Sequence, residues 1–475
     1  MNKKLLIGAI ALIVSTSTFA GGLLTNTNQN ATFLRNPARD AVIAIDGVYS
    51  NPAGIAFLPQ GAHFSVSWQA AWQKREITST FPLYAANEAT PGLTKKDFVG
   101  KAKAPVIPSF QFAYVFNDKW SVSAQFAIGG GGGKCEFNNG LATFEKLMAE
   151  TILGTGQQSY GLNQTFTGEQ YVYGLQVGGT YKITDKISVF GGIRGVLANY
   201  GYEGALTNIS AGGMKSADFA NLAAQANAAA EQLAQIDPAQ AAIYAQQAVA
   251  AMRAAGMTSD YILDCTQDGF GITPIIGIDV NLGKLNLAAK YEFRTKLEME
   301  SEAKNSATVI ALAAQQSAFA GYLDGAKTRS DIPALLTIGA QYSILPSLRV
   351  NGGYHLYFDK DAKGSATAVS DNTWEASLGA EWDINDKWLV SFGVQRTQYG
   401  FGDEDMSDMN FNIRNTSLGI GGAYQINDML KLNVGYYHTF YEDHEVVTDK
   451  GNGISATDLY TRKNDVVGVS LDFKF

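Results

Sequence analysis

The chain has 475 residues and a formal net charge of −8, and only 17% of its residues are charged, against roughly 25% in ordinary soluble proteins. Its 25 Phe, 22 Tyr and 6 Trp make it too aromatic for a disordered protein. Its mean hydropathy of −0.06 is too polar for a bundle of membrane helices. The acidic balance also disfavours nucleic acid as a partner.

Residues 1–20 have the pattern of a secretory signal peptide. Two lysines form a basic start, residues 5–14 are an apolar run, and small residues lead to an expected cleavage site after Ala20. The run is too short for a transmembrane helix, which needs about 20 apolar residues. Removal of the two lysines would take the net charge from −8 to −10.

Residues 21–60 show no clean strand alternation and precede the first predicted strand. From there to the end, alternating segments predict a fourteen-stranded barrel over 61–475. The predicted strands are 61–78, 104–116, 120–128, 166–183, 187–204, 267–281, 285–300, 333–344, 348–359, 371–384, 387–400, 411–426, 430–441 and 464–475. An even number places both ends of the barrel on the periplasmic side.

Short polar turns such as Asn-Asp-Lys alternate with much longer loops, which is the layout of an outer-membrane barrel. A soluble β-sandwich would share the alternation, but its strands are usually shorter than 10–15 residues. Trp120, Trp382 and Trp388 stand at strand ends, where an interfacial aromatic girdle is expected. The sequence therefore predicts an all-β, transmembrane, antiparallel β-barrel.

Two regions are expected to lie outside the barrel wall. Residues 21–60, on the periplasmic side, can enter the lumen as a hatch that plugs it. Three long loops are expected to carry helices on the extracellular side, near 141–153, 216–256 and 306–324. In the second loop, apolar residues from Phe219 to Ile236 recur at helical spacing, which favours a helical hairpin.

A run of five glycines, 129–133, follows the third predicted strand. It lacks the spacing and the Ser or Thr of a phosphate-binding loop, since Cys135 follows Lys134. The tract is either an ordinary loop or a functional weakness in the wall, because glycine lets the backbone kink or stop pairing.

Cysteine and histidine give no sign of catalysis. Cys135 and Cys265 are expected in loops on one side of the membrane, where they could form a disulfide or remain two free thiols. No pair of histidines has metal-ligand spacing, and no nucleophile motif accompanies one. We therefore expect no enzyme activity, no metal and no cofactor.

Charged side chains inside strands should face the lumen, because exposure to lipid is costly. By alternation these are Arg194, Lys290, Glu292, Arg294 and Arg349. They either form a solvated wall of ion pairs, as in porins, or provide a ligand site. In the second case Arg194 or Arg294 receives the carboxylate of an amphiphile.

The start of the mature chain resembles that of the FadL-type transporters of long-chain fatty acids and hydrocarbons. Residues 38–41 (Ala-Arg-Asp-Ala) lead to 51–56 (Asn-Pro-Ala-Gly-Ile-Ala), about ten residues before the first predicted strand. The resemblance implies that Asn51, Pro52 and Ala53 carry the signature of a lumen hatch. By motif it covers about residues 30–60; by architecture it covers the whole mature chain.

The family resemblance implies a route for an apolar ligand. Extracellular loops would capture it, here the helices around Phe219 and Leu222. A lumen pocket would bind it, with Arg194 on the fifth strand in a position suited to a carboxylate. A kink in the third strand would release it sideways into lipid, here at Gly129, Gly130 and Gly131.

The sequence thus predicts an outer-membrane channel for passive uptake of long-chain fatty acids or similar hydrophobic compounds. Each buried methylene is worth about 0.8 kcal/mol, so an apolar groove holds such a ligand well. The expected partners are this ligand, outer-membrane lipids, lipopolysaccharide and the barrel assembly machinery. A general aqueous porin and a surface structural or adhesion protein are the alternatives.

Overall fold

The computed structural model describes residues 30–475 except 316, 365–368, 370, 410 and 452. The predicted signal peptide and the first residues of the predicted hatch, 21–29, lie outside the described residues.

One antiparallel sheet closes on itself through its first and last strands. The register runs without interruption from His63 opposite Lys474 to Thr80 opposite Thr457. The described strands are β1 Gly61–Thr80, β2 Lys95–Val115, β3 Trp120–Phe137, β4 Tyr160–Thr184, β5 Ile187–Ala211, β6 Met214–Lys215, β7 Tyr261–Asn281, β8 Leu285–Glu292, β9 Glu298–Ala303, β10 Lys327–Arg329, β11 Leu335–Leu345, β12 Leu348–Tyr357, β13 Thr373–Asp383, β14 Trp388–Gln398, β15 Asn415–Asn427, β16 Leu430–Tyr441, β17 His444–Gly451 and β18 Ile454–Lys474.

The ring has fourteen strands, so the predicted fold class is confirmed. The segments β8 and β9 form one interrupted strand of the wall, as do β10 and β11, whereas β6 and β17 are small hairpin additions outside the ring. Several strands extend further on the long-loop side than predicted: β2 begins at Lys95 and β18 at Ile454. These extensions carry charges on both faces, so they lack the apolar alternation that marks lipid contact.

The short turns are stabilised by their own side chains. The Asn117 carboxamide oxygen accepts hydrogen bonds from the backbone N–H groups of Lys119 (2.9 Å) and Trp120 (3.0 Å). Asn385 does the same for Lys387 and Trp388, at 2.9 and 3.0 Å. The recurring Asn-Asp-Lys sequence therefore encodes a turn in which Asn replaces a backbone acceptor.

An apolar belt covers the outer wall. Trp120, Trp382 and Trp388 are each more than half exposed, beside the short turns as predicted. Trp120 packs on Tyr181, and Trp388 packs on Tyr424, each with ring centroids 4.6 Å apart. Exposed aromatic rings at this level are typical of the membrane interface.

The helices lie in the N-terminal segment and in the long loops. No helix in the described part of the chain has the length and apolar character needed to cross a bilayer. The α-helices are α1 Ala31–Arg35, α2 Gly47–Ser50, α3 Ala142–Leu153, α4 Ser216–Leu233, α5 Pro238–Met257 and α6 Ala307–Gln315, with 3₁₀ turns at Pro52–Phe57, Pro82–Ala86, Ser317–Tyr322, Asp359–Asp361 and Asp403–Asp405.

The long loops pack into a hydrophobic core at their own end of the barrel. Its members include Phe81, Tyr84, Phe137 and Ile152, all nearly inaccessible. Glu145 of α3 is buried there and accepts hydrogen bonds from the side chains of Asn87, Lys96, Tyr160 and Gln164. These contacts hold the long loops together over their end of the barrel.

Residues 30–58 lie inside the lumen, and their contacts with the wall are mostly polar. Asn30 donates to Ser65 of β1 at 2.9 Å and to Gln111 of β2 at 2.8 Å. On the opposite wall, Arg35 donates to Glu381 of β13 at 2.6 Å. Buried polar groups are costly without partners, so these bonds fix the position of the segment.

A track of wall glycines lets this segment approach the barrel backbone. A Cβ at Gly339 would lie 2.6 Å from the carbonyl carbon of Asp40, and one at Gly419 would lie 2.6 Å from the carbonyl oxygen of Leu34. Further members of the track are Gly353, Gly379, Gly393, Gly421, Gly435 and Gly468, each close to a residue between Ala31 and Asp40. We call these eight residues the glycine seat.

Replacing Gly339 by valine is expected to lift the lumen segment from the wall, because no space exists for the added atoms. The matched control is Gly352→Val, where the added Cβ would meet only ordinary contacts at 3.6 Å or more. Limited proteolysis of the folded barrel in detergent should cut the segment in Gly339→Val alone. Equal resistance of both variants to the protease would contradict the role of the glycine seat in holding the lumen segment.

Of the two alternatives left open for the cysteines, the structure shows free thiols and not a disulfide. Cys135 and Cys265 are free thiols, and both lie in strands rather than loops. The ladder runs from Cys135 to Gly168, then to Tyr202, then to Cys265, so two strands separate them. Three spacings of about 4.8 Å put the Cα atoms far beyond the roughly 7 Å limit for a disulfide.

Candidate binding site and lateral opening in the barrel wall

The ladder between β2 and β3 is interrupted at mid-height. Pairing stops at Ser109 opposite Ala127 and resumes at Lys103 opposite Lys134. Pro105 and Pro108 lie in this stretch of β2, and proline has no N–H to donate. Residues 104–108 and 128–133 therefore face each other without ladder bonds, and we call this unpaired stretch of the wall the opening.

The glycine tract shapes the other edge of this opening. Strand β3 bulges against β4 at Ile128/Gly130 and again at Gly131/Gly133. Gly131 has φ +69°, and a Cβ there would lie 2.0 Å from the carbonyl oxygen of Gln170. Only glycine fits this conformation, so the kink is built into the sequence. Gly129, Gly130 and Gly131 border this unpaired stretch, and their role as a gate stays a prediction.

A small pocket, which we call the cavity, lies behind the opening, inside the barrel. Gly129 forms part of its wall, so the cavity reaches the interrupted ladder. Val172 and Val196 provide apolar surface, Arg194 and Glu292 provide charge, and Tyr49 of the lumen segment closes one side. A site with both apolar surface and a few polar groups is typical of small-molecule binding.

Arg194 lies in this cavity, but its charge is already compensated. Its guanidinium donates to Glu292 at 2.6 Å and to Gln176 at 2.7 Å. Lys290 also donates to Glu292, at 2.7 Å, and to the carbonyl oxygen of Tyr49 at 2.8 Å. Arg194, Lys290 and Glu292 therefore face the lumen as predicted. The Arg194 guanidinium, which was expected to bind the carboxylate of a ligand, is already bonded to the carboxylate of Glu292.

The other residues predicted to bind ligand lie elsewhere. Arg294 is half-buried near the loops, bonded to the carbonyl oxygen of Asp361 and 3.7 Å from the Asp331 carboxylate. Phe219 is buried in the loop core, and Leu222 is 44% exposed on α4. The structure does not bring these three side chains to the cavity with Arg194.

The Asn-Pro-Ala motif joins the lumen segment to three strands. The Asn51 side chain donates to Asp279 of β7 at 2.5 Å, and its oxygen accepts from the N–H of Gly54. The carbonyl oxygen of Pro52 accepts from Thr180 at 3.0 Å, and that of Ala53 accepts from Ser188 at 2.7 Å. The motif therefore anchors the lumen segment to the barrel wall.

A buried charge network holds the middle of the lumen segment. Arg35 and Arg39 both donate to Glu381, at 2.6 and 2.7 Å. Arg39 also binds Asp46 through two nitrogens, at 2.7 and 2.9 Å. Two positive and two negative groups are thus balanced inside the lumen. Alternation along β13 places the Glu381 side chain on the inner face of the barrel. Nothing in the sequence identifies Arg35 and Arg39 as its partners.

Arg39 also controls the titration of Asp46. Burial alone would raise the pKa of this carboxyl, but the Arg39 charge and its hydrogen bonds outweigh burial and hold the pKa below its ordinary value. Because the folded pKa is depressed, Asp46 stabilises the fold above its unfolded pKa of about 4. That contribution is lost as the pH falls through the folded pKa.

Asp46→Asn is therefore expected to cost about 3 kcal/mol at pH 7 and less at pH 3, where the Asp46 carboxyl of the unfolded wild-type chain is largely protonated. The measurement is the thermal unfolding midpoint in detergent at both pH values. The control is Asp403→Asn, which removes an exposed partner of His444. A loss for Asp46→Asn that does not depend on pH would contradict this account.

No cluster of His, Cys, Asp and Glu suited to a metal ion occurs among the residues that the structure describes. The charged groups around Arg194 and around Arg39 bind one another.

Comparison with solved structures matches the whole architecture. A Pseudomonas aeruginosa FadL homologue aligns with a TM-score of 0.63 at 13% identity, covering 96% of this chain and 100% of that one. This chain has the FadL-type fold. The Pseudomonas putida toluene transporter TodX aligns at 0.57 and 14% identity, covering 94% and 98%. The Ralstonia pickettii toluene transporter TbuX aligns at 0.51 and 14% identity, covering 93% and 98%.

Sequence comparison adds a shorter match. A family model described as "Putative MetA-pathway of phenol degradation" matches residues 334–456, about a quarter of the chain. No curated protein sequence matches the chain. The matched stretch covers strands β11 to β17, away from the opening between β2 and β3. The FadL-type fold is that of an outer-membrane β-barrel, and the exposed belt on the wall agrees with this environment.

Proposed function

We propose that this protein is an outer-membrane channel for the passive uptake of hydrophobic compounds, with long-chain fatty acids as the first candidates. The observation that carries the proposal is the interrupted ladder between β2 and β3 beside a lumen cavity. A pore for hydrophilic solutes needs no opening toward lipid. A hydrophobic solute gains from one, because its methylenes need not return to water.

The proposed route has three stages. The helical loops, including α4 with Phe219 and Leu222, capture the compound at the extracellular end. The cavity that Arg194 lines binds it. The compound then leaves through the opening at Gly129, Gly130 and Gly131 and enters the bilayer. Residues 30–58 act as a hatch, so that the compound cannot continue through the lumen.

The charge pattern of the cavity supports a largely apolar ligand there. Arg194, the cation in the described lining of the cavity, is bonded to Glu292, which also binds Lys290 behind it; each cation therefore has an ion-pair partner, and the three groups together carry a single positive charge. The solved toluene transporters with this fold support hydrocarbons as a second ligand class. Diffusion down a gradient is the proposed mechanism, and catalysis is not part of it.

Uptake by cells tests this proposal. Cells that lack their own transporter of this kind are given the gene or an empty vector, and entry of radiolabelled oleate and toluene is measured at low external concentration. We expect the gene to raise the initial rate of at least one compound. Faster entry of toluene alone would exclude fatty acids as ligands, and unchanged entry of both would overturn the channel.

A further inference from the structure

Two arginines lie directly opposite each other on the inner wall, where the first and last strands meet. Arg75 of β1 pairs in register with Arg462 of β18. The register between these strands has no irregularity, so Arg75 shares a face with Ser65, which contacts the hatch. Both guanidiniums therefore point into the barrel. Like charges placed opposite each other across a ladder destabilise a sheet.

No acidic side chain in the described part of the chain neutralises this pair. Arg75 donates to the side chain of Gln73 at 2.8 Å and to the carbonyl oxygen of Met409 at 3.3 Å, which are both uncharged. The Nε of Arg462 is buried and has no hydrogen-bond acceptor. Neither guanidinium forms an ion pair among the described residues, and no residue outside them is Asp or Glu.

Aromatic rings flank the two charges. The guanidinium carbon of Arg75 is 5.6 Å from the centre of the Phe411 ring, and that of Arg462 is 4.9 Å from the centre of the Tyr441 ring. These rings hold the guanidiniums in place, and the partly exposed ring of Tyr441 offers apolar surface beside them, whereas Phe411 is fully buried. The arrangement combines two oriented forks of N–H donors with a wall against which methylenes can lie.

The pair lies close to the lateral opening. Ala104, at the edge of the opening, is opposite Ala71 of β1, and Arg75 is four residues further toward the loops, about 13 Å along the strand. The pair is thus on the extracellular side of the opening, beneath the loop core that includes Phe411. A compound that enters from the loops and leaves at the opening passes this level.

We propose that Arg75 and Arg462 form a carboxylate-binding site that captures the head of an amphiphilic ligand, a monocarboxylate with a hydrophobic tail. The proposal rests on the channel function proposed above and assigns its charged recognition step to the seam between β1 and β18. Arg194 has a resident carboxylate; the seam pair has none. A bound carboxylate would accept hydrogen bonds from both guanidiniums and remove their mutual repulsion.

Binding of oleate and of methyl oleate to the purified full-length protein in detergent tests the site. Isothermal titration at pH 8 is expected to show oleate binding about 10- to 100-fold more tightly than its ester in the wild type. Arg462→Gln and Arg75→Gln should abolish that preference, because they weaken oleate binding far more than methyl oleate binding. Arg462→Lys keeps the charge but loses the fork, so it should retain part of the preference.

The control is Lys74→Gln, which removes a positive charge from the outer face of the same strand and should change neither affinity. Heat-modifiable migration on gels confirms that each variant is folded. A double Gln variant that still prefers oleate would overturn the site. Equal binding of oleate and ester by the wild type would overturn the site but leave the channel proposal standing, whereas binding of neither would overturn both for this ligand class.

Discussion

Replacing Gly129 by phenylalanine is expected to reduce uptake of the transported compound at least about tenfold without unfolding the barrel. A Cβ at this position would have only the carbonyl oxygen of Val172 within 4 Å, at 3.6 Å, so the backbone tolerates a side chain. The added ring would occupy the cavity and the break between β2 and β3. Each displaced contact of the ligand with apolar surface lowers its affinity.

The matched control is Gly191→Phe. A Cβ there would meet nothing within 4 Å, and Gly191 is an exposed residue of β5, remote from the opening. Both variants add the same side chain to a glycine of the wall. The measurement is the initial rate of uptake of radiolabelled oleate or toluene at equal surface expression. Equal rates in Gly129→Phe and wild type would exclude this opening as the exit.

Replacing Glu381 by leucine is expected to open the barrel to ions. The change leaves Arg35 and Arg39 buried in the lumen with one carboxylate, Asp46, between them. Breaking a buried ion pair by removing one partner costs about 3–5 kcal/mol, because the remaining charge is uncompensated. The hatch lowers this cost by leaving the wall. Single-channel current in planar bilayers should rise from near zero to that of a water-filled pore.

A second variant separates loss of charge balance from loss of fold. Arg35→Met combined with Glu381→Leu removes one charge of each sign and leaves Arg39 bound to Asp46, so the hatch should seat again and the current should fall. Glu442→Leu, which breaks an exposed pair with Arg396, should leave the current unchanged. A Glu381→Leu variant whose single-channel current does not rise would contradict the role of this network in holding the hatch against the wall.

The barrel was predictable from the sequence because its rules are local. A period of two, short turns led by Asn, and Trp120 or Trp388 at strand ends follow from contact with lipid on one face. The extensions of β2 and β18 beyond the membrane were missed, since charged outer residues break that pattern. The two cysteines were misplaced for the same reason: both lie in such extensions, two strands apart.

The site was only partly predictable, because its chemistry depends on pairs that are distant in sequence. Alternation placed Arg194 and Glu292 in the lumen, but it could not show that they neutralise each other across 98 positions of chain. Arg75 and Arg462 have no acidic partner, but the sequence alone does not distinguish them from other strand residues. Their pairing is visible only when β1 is placed beside β18. The register between strands decides which charged side chains are paired and which remain available to a ligand. The hydrophobic pattern of the sequence does not give that register.

The hatch is bonded on both sides of the seam that closes the cylinder. Asn30 donates to Ser65 on β1, and Leu34 lies against Gly468 on β18. Contacts of the hatch therefore link the first strand of the ring to the last one. A seated hatch is consequently expected to strengthen the junction between β1 and β18, so loss of the hatch should weaken closure of the ring.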